Sequence, residues 1–528
     1  MSDSVNQQQN DSSYKWFALM AIISGTFVAV LNNSLLNVAL PQLVNVFGST
    51  TDTMQWILTG YMLASAVVIP MSPALCDMFG YKKVFLVSLA AFTVGSALCG
   101  IAWSDSSLIF FRIVSGLGGG FIMPVGMAML YASIPRNEIG LAMGLWGIAA
   151  MVAPAIGPTL SGYILEHFSW RLLFFMSVPV GIASIFLSAS MLRETPTKKV
   201  KFDYAGAILS IIAFGTLLLA LSKGQSEGWT SLFIVSLLFV AVSSMAMLIY
   251  VETGKEQPLM DLSLFKNLQF SMGTLASGLV MVGMYGGVFL TPLYLQNIQG
   301  LTPMETGLLL MPQSIAMALM MPISGKLMDK FGVVPLGLVG LTVMGVSTYE
   351  LSTLTADTPN EWLNHILIIR GLAIGICMMP LTSAGTNAVE PQKVGSASSL
   401  GNVFRQVMSS LGIALLTMMM STRSTFHGVR MSENLSLDSL QGTQFVTMLS
   451  GLYGQSGVDA ATSKAGAMMI LGGLIQKESF VRGIADTFLI SAVPIFLCIP
   501  LLYFLRKKKA VKTPPKEVEV ADTAEAAS

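Results

Sequence analysis

The sequence is short of charge, cysteine and histidine, and each shortage excludes a class of protein. Only 11% of its 528 residues are charged, against about 25% in a soluble domain. The net charge of +1 gives no reason to expect a nucleic-acid partner. The four cysteines, Cys76, Cys99, Cys377 and Cys498, lie in or at apolar segments without paired spacing, which favours small buried hydrophobes over disulfides or metal ligands. With three histidines and no HExxH, nucleotide-binding glycine loop or GxSxG motif, the sequence predicts neither an enzyme nor a bound cofactor.

Long apolar runs are what the sequence has in abundance. Hydrophobic residues make up 53% of the chain, and they recur in runs of about 18 to 25 residues, enough for a helix to cross roughly 30 Å of hydrocarbon. The runs are continuous rather than alternating, which excludes a transmembrane barrel of strands. The sequence therefore predicts an all-α polytopic membrane protein. Fourteen spans are expected, at 15–37, 54–75, 83–103, 107–131, 140–165, 170–192, 203–222, 229–251, 268–295, 304–325, 333–354, 362–385, 397–420 and 482–505.

The positions of lysine and arginine orient these spans in the membrane. With the N-terminus inside, the short outer loops hold only Arg171 and Lys223, while the basic run at 506–509 falls inside. An odd number of spans would place that run outside, against the positive-inside rule. Both termini are thus expected in the cytoplasm, and the long segment 421–481 outside the cell. Within that segment the apolar stretch 465–475 is too short to span, and we expect it to pack at the interface.

Two sequence echoes indicate an internal repeat. PALCDMFGYKK at 73–83 is matched by GKLMDKFGVVP at 325–335, which aligns Asp77 with Asp329. Arg112 in FFRIVSGLGGG is likewise matched by Arg370 in IIRGLAIGICM, at nearly the same spacing. Secondary transporters are built from such halves, with a central site at their interface and rocking motion between them. The predicted divisions are a cytoplasmic tail 1–14, a six-helix bundle 15–192, a linker 193–267 with two inserted helices, a second six-helix bundle 268–505, and a cytoplasmic tail 506–528.

Five motifs in order carry a family resemblance that covers nearly the whole chain. They are LNNSLLNVALP in the first span, PALCDMFGYKK after the second, RIVSGLGGG in the fourth, APAIGPTLSGYI in the fifth and VGSASSLGNVFRQ in the thirteenth. The chain resembles the major facilitator superfamily, and within it the 14-helix drug/proton antiporter branch of the EmrB/QacA type, close to lincomycin-resistance-like multidrug exporters. The resemblance implies two six-helix bundles and transport driven by a proton gradient.

A buried arginine beside an amide is the expected centre of coupling. A charge as deep in its span as Arg112 is costly and normally faces the bundle interior. In the resembling family, the fourth-helix arginine works beside an acidic residue of the first helix; here that position is Asn32. An amide donates and accepts hydrogen bonds but does not titrate, so the proton carrier is open. Glu350, near the outer end of the eleventh span, is our candidate carrier.

Two further sets of residues are expected to control conformational change. Prolines and glycines in the middle of the fifth span can form a bent hinge, although ordinary tight packing is the alternative. Carboxylates at the inner ends of the second and tenth spans can latch the halves together, and in the first half the motif departs from the family at Pro73, Met78 and Tyr81. The proposed gating residues are Asp77, Gly80, Lys82, Pro154, Gly157, Pro158, Gly162, Gly325, Asp329, Gly332 and Arg370.

Polar and aromatic residues within the spans are candidates for lining a substrate cavity, and we expect about half of them to be structural, since amides also link helices. The abundance of methionine, 36 residues, suits a pocket that repacks around different molecules. The candidates are Asn33, Gln55, Trp56, Tyr61, Tyr285, Tyr294, Gln296, Asn297, Gln313, Asn402, Arg405 and Gln406.

The leading functional hypothesis is proton-coupled export of lipophilic or amphipathic small molecules by alternating access. The alternative is a translocator of membrane lipids or endogenous metabolites with weak or no proton coupling. An intramembrane enzyme or sensor is disfavoured because the spans hold no catalytic pair or metal cluster, and a channel because the two-half repeat suits rocking. The substrate, the stoichiometry and the oligomeric state, a monomer included, stay open.

Overall fold

The computed structural model describes residues 2–135, 138–197, 202–255, 258–434, 443–444, 446–448, 450 and 460–505. In this part of the chain the secondary structure is helical throughout, with no strand. Fourteen helices are long and apolar enough to cross a membrane, which confirms the predicted number of spans and the all-α class. The predicted C-terminal tail 506–528, with its basic run, lies outside the described residues.

The first half contains six spans and is followed by two inserted helices. The second span is bent, since a 3-10 helix at Ile69–Met71 with Pro70 at its start separates α2 from α3. The sixth span is likewise made of two consecutive helices. The helices are α1 Ser2–Phe47, α2 Thr51–Val68, α3 Ser72–Phe79, α4 Tyr81–Gly100, α5 Asp105–Ser133, α6 Ile139–His167, α7 Arg171–Phe175, α8 Ser177–Met191, and the inserted α9 Tyr204–Glu227 and α10 Leu232–Thr253.

The second half repeats this arrangement with longer final helices. A 3-10 helix at Leu262–Lys266 leads into it from the insert. The helices are α11 Leu268–Asn297, α12 Pro303–Phe331, α13 Val333–Glu350, α14 Asn360–Asn387, α15 Val394–Asn434 and α16 Ala460–Leu501. Polar residues fix several helix starts: Ser104 and Thr302 each form a capping box with the residue three positions later, Ser107 and Glu305 respectively.

Because the number of spans is even, both ends of the described chain lie on one side of the membrane. We call this the terminal side, and the opposite one, where α15 ends and α16 begins, the loop side. The predicted polar tail 1–14 forms the beginning of α1 rather than a separate segment.

The prediction of a long loop at 421–481 is wrong in part. Helix α15 continues to Asn434, and α16 already begins at Ala460, so the stretch 465–475 is a piece of α16 and not an interfacial segment. A helix of 41 residues rises about 60 Å, twice the hydrocarbon thickness, so both helices project beyond the membrane on the loop side. They support each other: Asp486 Oδ2 accepts hydrogen bonds from Arg423 Nε at 2.6 Å and His427 Nε2 at 2.7 Å. Hydropathy alone could not predict this extension, because it depends on pairing between two helices.

Helices α6 and α12 form the main seam between the halves, and they pack along their whole length. At the terminal side Gly140 lies against Gly325, and at the loop side Gly162 lies against Met304. On the opposite flank, α15 packs against the Ile69–Met71 helix and α3, and Ser399 Oγ donates to the Ile69 carbonyl at 2.8 Å. The inserted α9 contacts both α2 and α15, so the insert covers this second seam.

Candidate functional site

Arg112 is the centre of the candidate site in the first half. Its side chain is fully buried, and each of its nitrogens has an acceptor. Nη1 donates to Asn32 Oδ1 at 2.7 Å, Nη2 to Asn33 Oδ1 at 3.4 Å, and Nε to the carbonyl of Ile57 at 3.1 Å. The guanidinium also lies over the ring of Tyr61, 4.2 Å from its centroid. The structure thus brings together four residues that the sequence singled out, and it supplies the cation with neutral partners only.

Glycines of the RIVSGLGGG motif bring α5 close enough to α2 for these contacts. A Cβ on Gly116 would collide with the backbone of Tyr61, and one on Gly120 with the backbone of Ser65. Small residues let two membrane helices approach in this way. The close approach is what places the Ile57 carbonyl within reach of Arg112.

The amide of Asn32 is held from its other side by a residue that the sequence analysis missed. Asn32 Nδ2 donates to Ser177 Oγ of α8 at 2.9 Å. Because the Nδ2 group donates to Ser177, the Oδ1 atom is the end of the amide that faces the arginine and accepts from its Nη1. Ser177 follows a short helix, α7, and no motif marks it, so only the fold reveals it.

Arg370, the counterpart in the second half, is also fully buried but bonded differently. Nη2 donates to the carbonyls of Gly283 at 3.1 Å and Met284 at 3.2 Å, and Nε to Thr348 Oγ1 at 3.1 Å. Among the described residues Nη1 has no hydrogen-bond partner, and it presses against Gly287. The arginine is accommodated because position 287 has no side chain.

The structure does not bring Glu350 to this centre. It is the last residue of α13, exposed on the loop side, and it belongs to the half that lacks Arg112. Two more candidates are exposed at the loop-side end of α11, namely Gln296 and Asn297.

Several cavity candidates have structural contacts instead. Tyr294 is fully buried and donates to the carbonyl of Thr355 at 2.6 Å. Trp56 faces the insert, with Lys223 Nζ 6.0 Å from its ring centroid, and Gln55 beside it is exposed. The backbone of Gln313 packs against Gly371.

A polar group on α15 lies at the second seam. Arg405 Nη2 donates to Asn402 Oδ1 at 2.8 Å, and Asn402 Nδ2 donates to the Ser398 carbonyl at 2.9 Å. Arg405 also lies within electrostatic reach of Tyr131 on α5, which belongs to the other half. Gln406 is half-buried on the same helix, and Tyr285 of α11 lies beside Ser409.

The prolines and glycines of α6 place this helix against both halves. Gly157 lies against Ser34 of α1, whose hydroxyl donates to the Pro154 carbonyl at 3.3 Å. That carbonyl is free to accept because Pro158 has no N–H four residues later. Pro158 in turn packs against Gly307 of α12. Helix α6 is therefore the element through which α1 and the second half touch.

The two repeat motifs share one backbone geometry. Gly80 has φ +86° and Gly332 φ +82°, and each ends a helix; only glycine adopts this conformation without strain. Asp329 lies against Gly140 at the N-terminus of α6, where helix N–H groups favour a carboxylate. In the first half, Gly80 packs against Thr195, whose Oγ1 accepts from the Tyr81 N–H at 2.8 Å; Asp77 and Lys82 lie beside this turn at the terminal side.

Comparison with known proteins agrees with this architecture. The profile of the Major Facilitator Superfamily matches residues 22–413. The MFS-type transporter YhcA of Bacillus subtilis is 36% identical over 95% of this chain and 94% of its own length. The multidrug export protein EmrB of Escherichia coli is 31% identical over 82% and 85%, and the fatty acid resistance protein FarB of Neisseria gonorrhoeae 29% identical over 91% and 94%.

Solved structures show the same fold at low sequence identity. The human organic anion transporter MFSD10 superposes with a TM-score of 0.59 at 13% identity, covering 92% of this chain and 99% of its own. The proton:xylose symporter XylE gives a TM-score of 0.58 at 12% identity, covering 93% and 97%. With its fourteen spans and full-length relatives, this chain is a multi-pass protein of the bacterial cell membrane, and it belongs to the major facilitator superfamily, in the 14-helix EmrB-type branch.

Proposed function

We propose that this protein is a secondary active exporter of lipophilic and amphipathic small molecules, which moves them by proton-coupled alternating access. The observation that carries the proposal is the pair of six-helix halves, which meet at glycine-lined seams and each contain one fully buried arginine. Relatives that align along most of the chain carry the names of multidrug export and fatty acid resistance proteins. The positive-inside rule places the terminal side in the cytoplasm.

The contacts between the halves support a state that is closed on the terminal side. Helices α6 and α12 touch on both sides, but at the second seam the bond from Ser399 to Ile69 lies on the terminal side. The contacts of α15 with the second span fall on its terminal-side part. We assign this arrangement to the outward-facing state, and entry of substrate from the cytoplasm requires these contacts to separate.

The Arg112 centre links that rocking to the first two spans. Its guanidinium binds α1 through Asn32 and Asn33 and α2 through Ile57, so movement of either helix exchanges its partners. Since Asn32 does not titrate, the proton must bind elsewhere. Glu350 and the Asp486 carboxylate shared by Arg423 and His427 are the loop-side groups we propose for this role.

The test measures accumulation of ethidium, a neutral lipophile and dodecanoate in cells that express wild type, Arg112→Ala or Arg482→Ala. Arg482 is exposed, and its one ion pair within the described residues is with Glu478 on its own helix, which makes it the matched control. We expect wild type and the control to lower accumulation of at least one compound, and a protonophore or Arg112→Ala to abolish this. Unchanged export by Arg112→Ala would refute the assigned role. Glu350→Gln and Asp486→Asn then show which group confers the dependence on the pH gradient.

A lipid or metabolite translocator is the second candidate. It is favoured by one observation, the absence of a carboxylate from the contacts of Arg112 and Arg370 within the described residues. Scrambling of a labelled phospholipid in reconstituted vesicles, independent of a pH gradient, would support it over drug export.

A further inference from the structure

Arg405 differs from the two other arginines inside the spans because it is accessible. Arg112 and Arg370 are each 0% exposed, whereas Arg405 is half-buried. Among the described residues it makes one side-chain hydrogen bond, from Nη2 to Asn402 Oδ1. Its Nε and Nη1 donors have no acceptor among the described residues and, unlike Nη1 of Arg370, are not fully buried. They are left for another acceptor, and so deep in a span they must border a cavity or the lipid.

The face of α15 that carries Arg405 points at the other half of the protein. Ser398, Asn402 and Arg405 are spaced by four and three residues and so share one face of the helix. At one end of this face Ser398 Oγ donates to the Pro124 carbonyl of α5 at 3.5 Å. Along this face α15 packs against α5, and at the other end the charge of Arg405 acts on Tyr131 of α5. The accessible guanidinium therefore borders the space between the halves and not the lipid.

No carboxylate of the described spans neutralises this space. Acidic side chains lie at helix ends, as do Asp329 and Glu350, except for two on the projecting part of α16. Those two are already paired, Asp486 with Arg423 and His427, and Glu478 with Arg482. A space bordered by a guanidinium that no carboxylate neutralises attracts anions and repels cations.

We propose that Arg405 binds the carboxylate of an amphipathic anion, such as a fatty acid, and that such anions are a substrate class of this transporter. A guanidinium presents its N–H groups in parallel pairs that match the two oxygens of a carboxylate. In Arg405 the second N–H of Nη2 forms such a pair with Nε or with Nη1, while the alkyl portion of the anion lies along the apolar walls of the seam. The substrate class rests on the export function proposed above, whereas binding to Arg405 is testable by itself.

The first experiment compares dodecanoic acid with its methyl ester, which has the same alkyl chain and no charge. Binding is measured to the full chain in phosphatidylcholine liposomes. A charge-assisted bond lost from the ester predicts about 10- to 100-fold weaker binding. Equal affinity of acid and ester for the wild type would overturn the proposal without any mutant.

The second experiment tests whether Arg405 causes the preference for the acid over the ester. Arg405→Gln is expected to bind the acid as weakly as the ester, Arg405→Lys to keep part of the preference, and the exposed control Arg482→Gln to behave as wild type. Wild-type preference in a folded Arg405→Gln would refute the assignment. Export of ethidium without binding of dodecanoate would leave the transport function standing and remove the anion class; export of neither compound would count against transport itself.

Discussion

Arg112 and Arg370 occupy matching positions in the two halves, yet they are held in different ways. Arg112 lies between α1 and α2, where its terminal nitrogens bind amide side chains and its plane covers Tyr61. Arg370 lies between α11 and α13, where it binds two backbone carbonyls and a threonine hydroxyl. The difference begins in the first helix of each half, which offers Asn32 and Asn33 in one case and Gly287 in the other.

The bonds of Arg112 can change during transport, whereas those of Arg370 are fixed. Amide side chains change rotamer and partner as α1 moves, so the bonds of Arg112 can be exchanged during a cycle. Backbone carbonyls of a packed helix cannot turn, so Arg370 ties α11 to α14 in every state in which those helices keep their shape. We infer that Arg112 takes part in the conformational change and that Arg370 stabilises one half as a rigid body.

The largest effect is expected from filling the space at Gly287. In Gly287→Leu the new side chain overlaps the guanidinium of Arg370, and displacing a buried charge and its bonds costs about 3 kcal/mol or more. We expect loss of folded protein, seen as low yield and a lower melting temperature in detergent. Gly473→Leu is the control, since nothing lies within 4 Å of a Cβ added there on α16. A wild-type melting temperature for Gly287→Leu would mean that Arg370 can leave its site.

Glutamine at each arginine tests the comparison directly. Arg370→Gln removes hydrogen-bond donors from the carbonyls of α11, and we expect the free energy of unfolding to fall by about 1–3 kcal/mol. Transport per folded molecule should be retained. Arg112→Gln should change stability less, because Asn32, Asn33 and the new amide can bond to one another, but it should lower transport at least tenfold. Thermal unfolding and transport are measured on the same preparations. The reverse pattern would contradict the assignment of the mobile and the fixed site.

A carboxylate at position 32 sharpens the contrast further. Asn32→Asp places an acid oxygen at the 2.7 Å contact of Arg112 Nη1, and a carboxylate that pairs and unpairs during the cycle makes transport depend on pH. We expect the pH profile of transport to change slope while the protein folds normally. Asn33→Asp is the matched comparison; its oxygen lies 3.4 Å from Nη2, so a smaller change is expected. An identical profile for wild type and Asn32→Asp would show that this position does not couple.

The sequence allowed the spans and the Arg112–Asn32 pairing to be predicted because both depend on local signals, hydropathy and a motif. It could not reveal that Ser177 holds Asn32, since that contact joins α1 to α8 and no pattern marks the serine. The extension of α15 and α16 was missed for a similar reason: the residues of 421–434 read as a polar loop until Arg423 and His427 meet Asp486. Tyr294 and Trp56 were expected at the cavity, but an aromatic residue in a span does not indicate which neighbour it will face.

The smallest effect concerns the insert, which, unlike either arginine site, carries a charged pair. Asp203 caps α9 through the Gly206 N–H at 3.0 Å and binds Lys255 Nζ at 2.5 Å, with Glu252 facing it. Burial by itself would raise the pKa of Asp203, but the Gly206 N–H and the Lys255 ammonium outweigh it and hold this pKa below its ordinary value. A carboxylate whose pKa is lowered by folding stabilises the fold at pH values above its unfolded-state pKa. This stabilisation is lost as the pH falls through the folded-state pKa.

Asp203→Asn keeps the cap but removes the charge. We therefore expect the free energy of unfolding to fall by up to about 1 kcal/mol more in the wild type than in the variant between about pH 5 and pH 3. Thermal unfolding in detergent measures this difference. Exposed Asp357→Asn is the control, because it lies in the turn between α13 and α14, far along the chain from this pair. Parallel pH curves for wild type and Asp203→Asn would show that the charge of Asp203 contributes nothing to the stability of the fold.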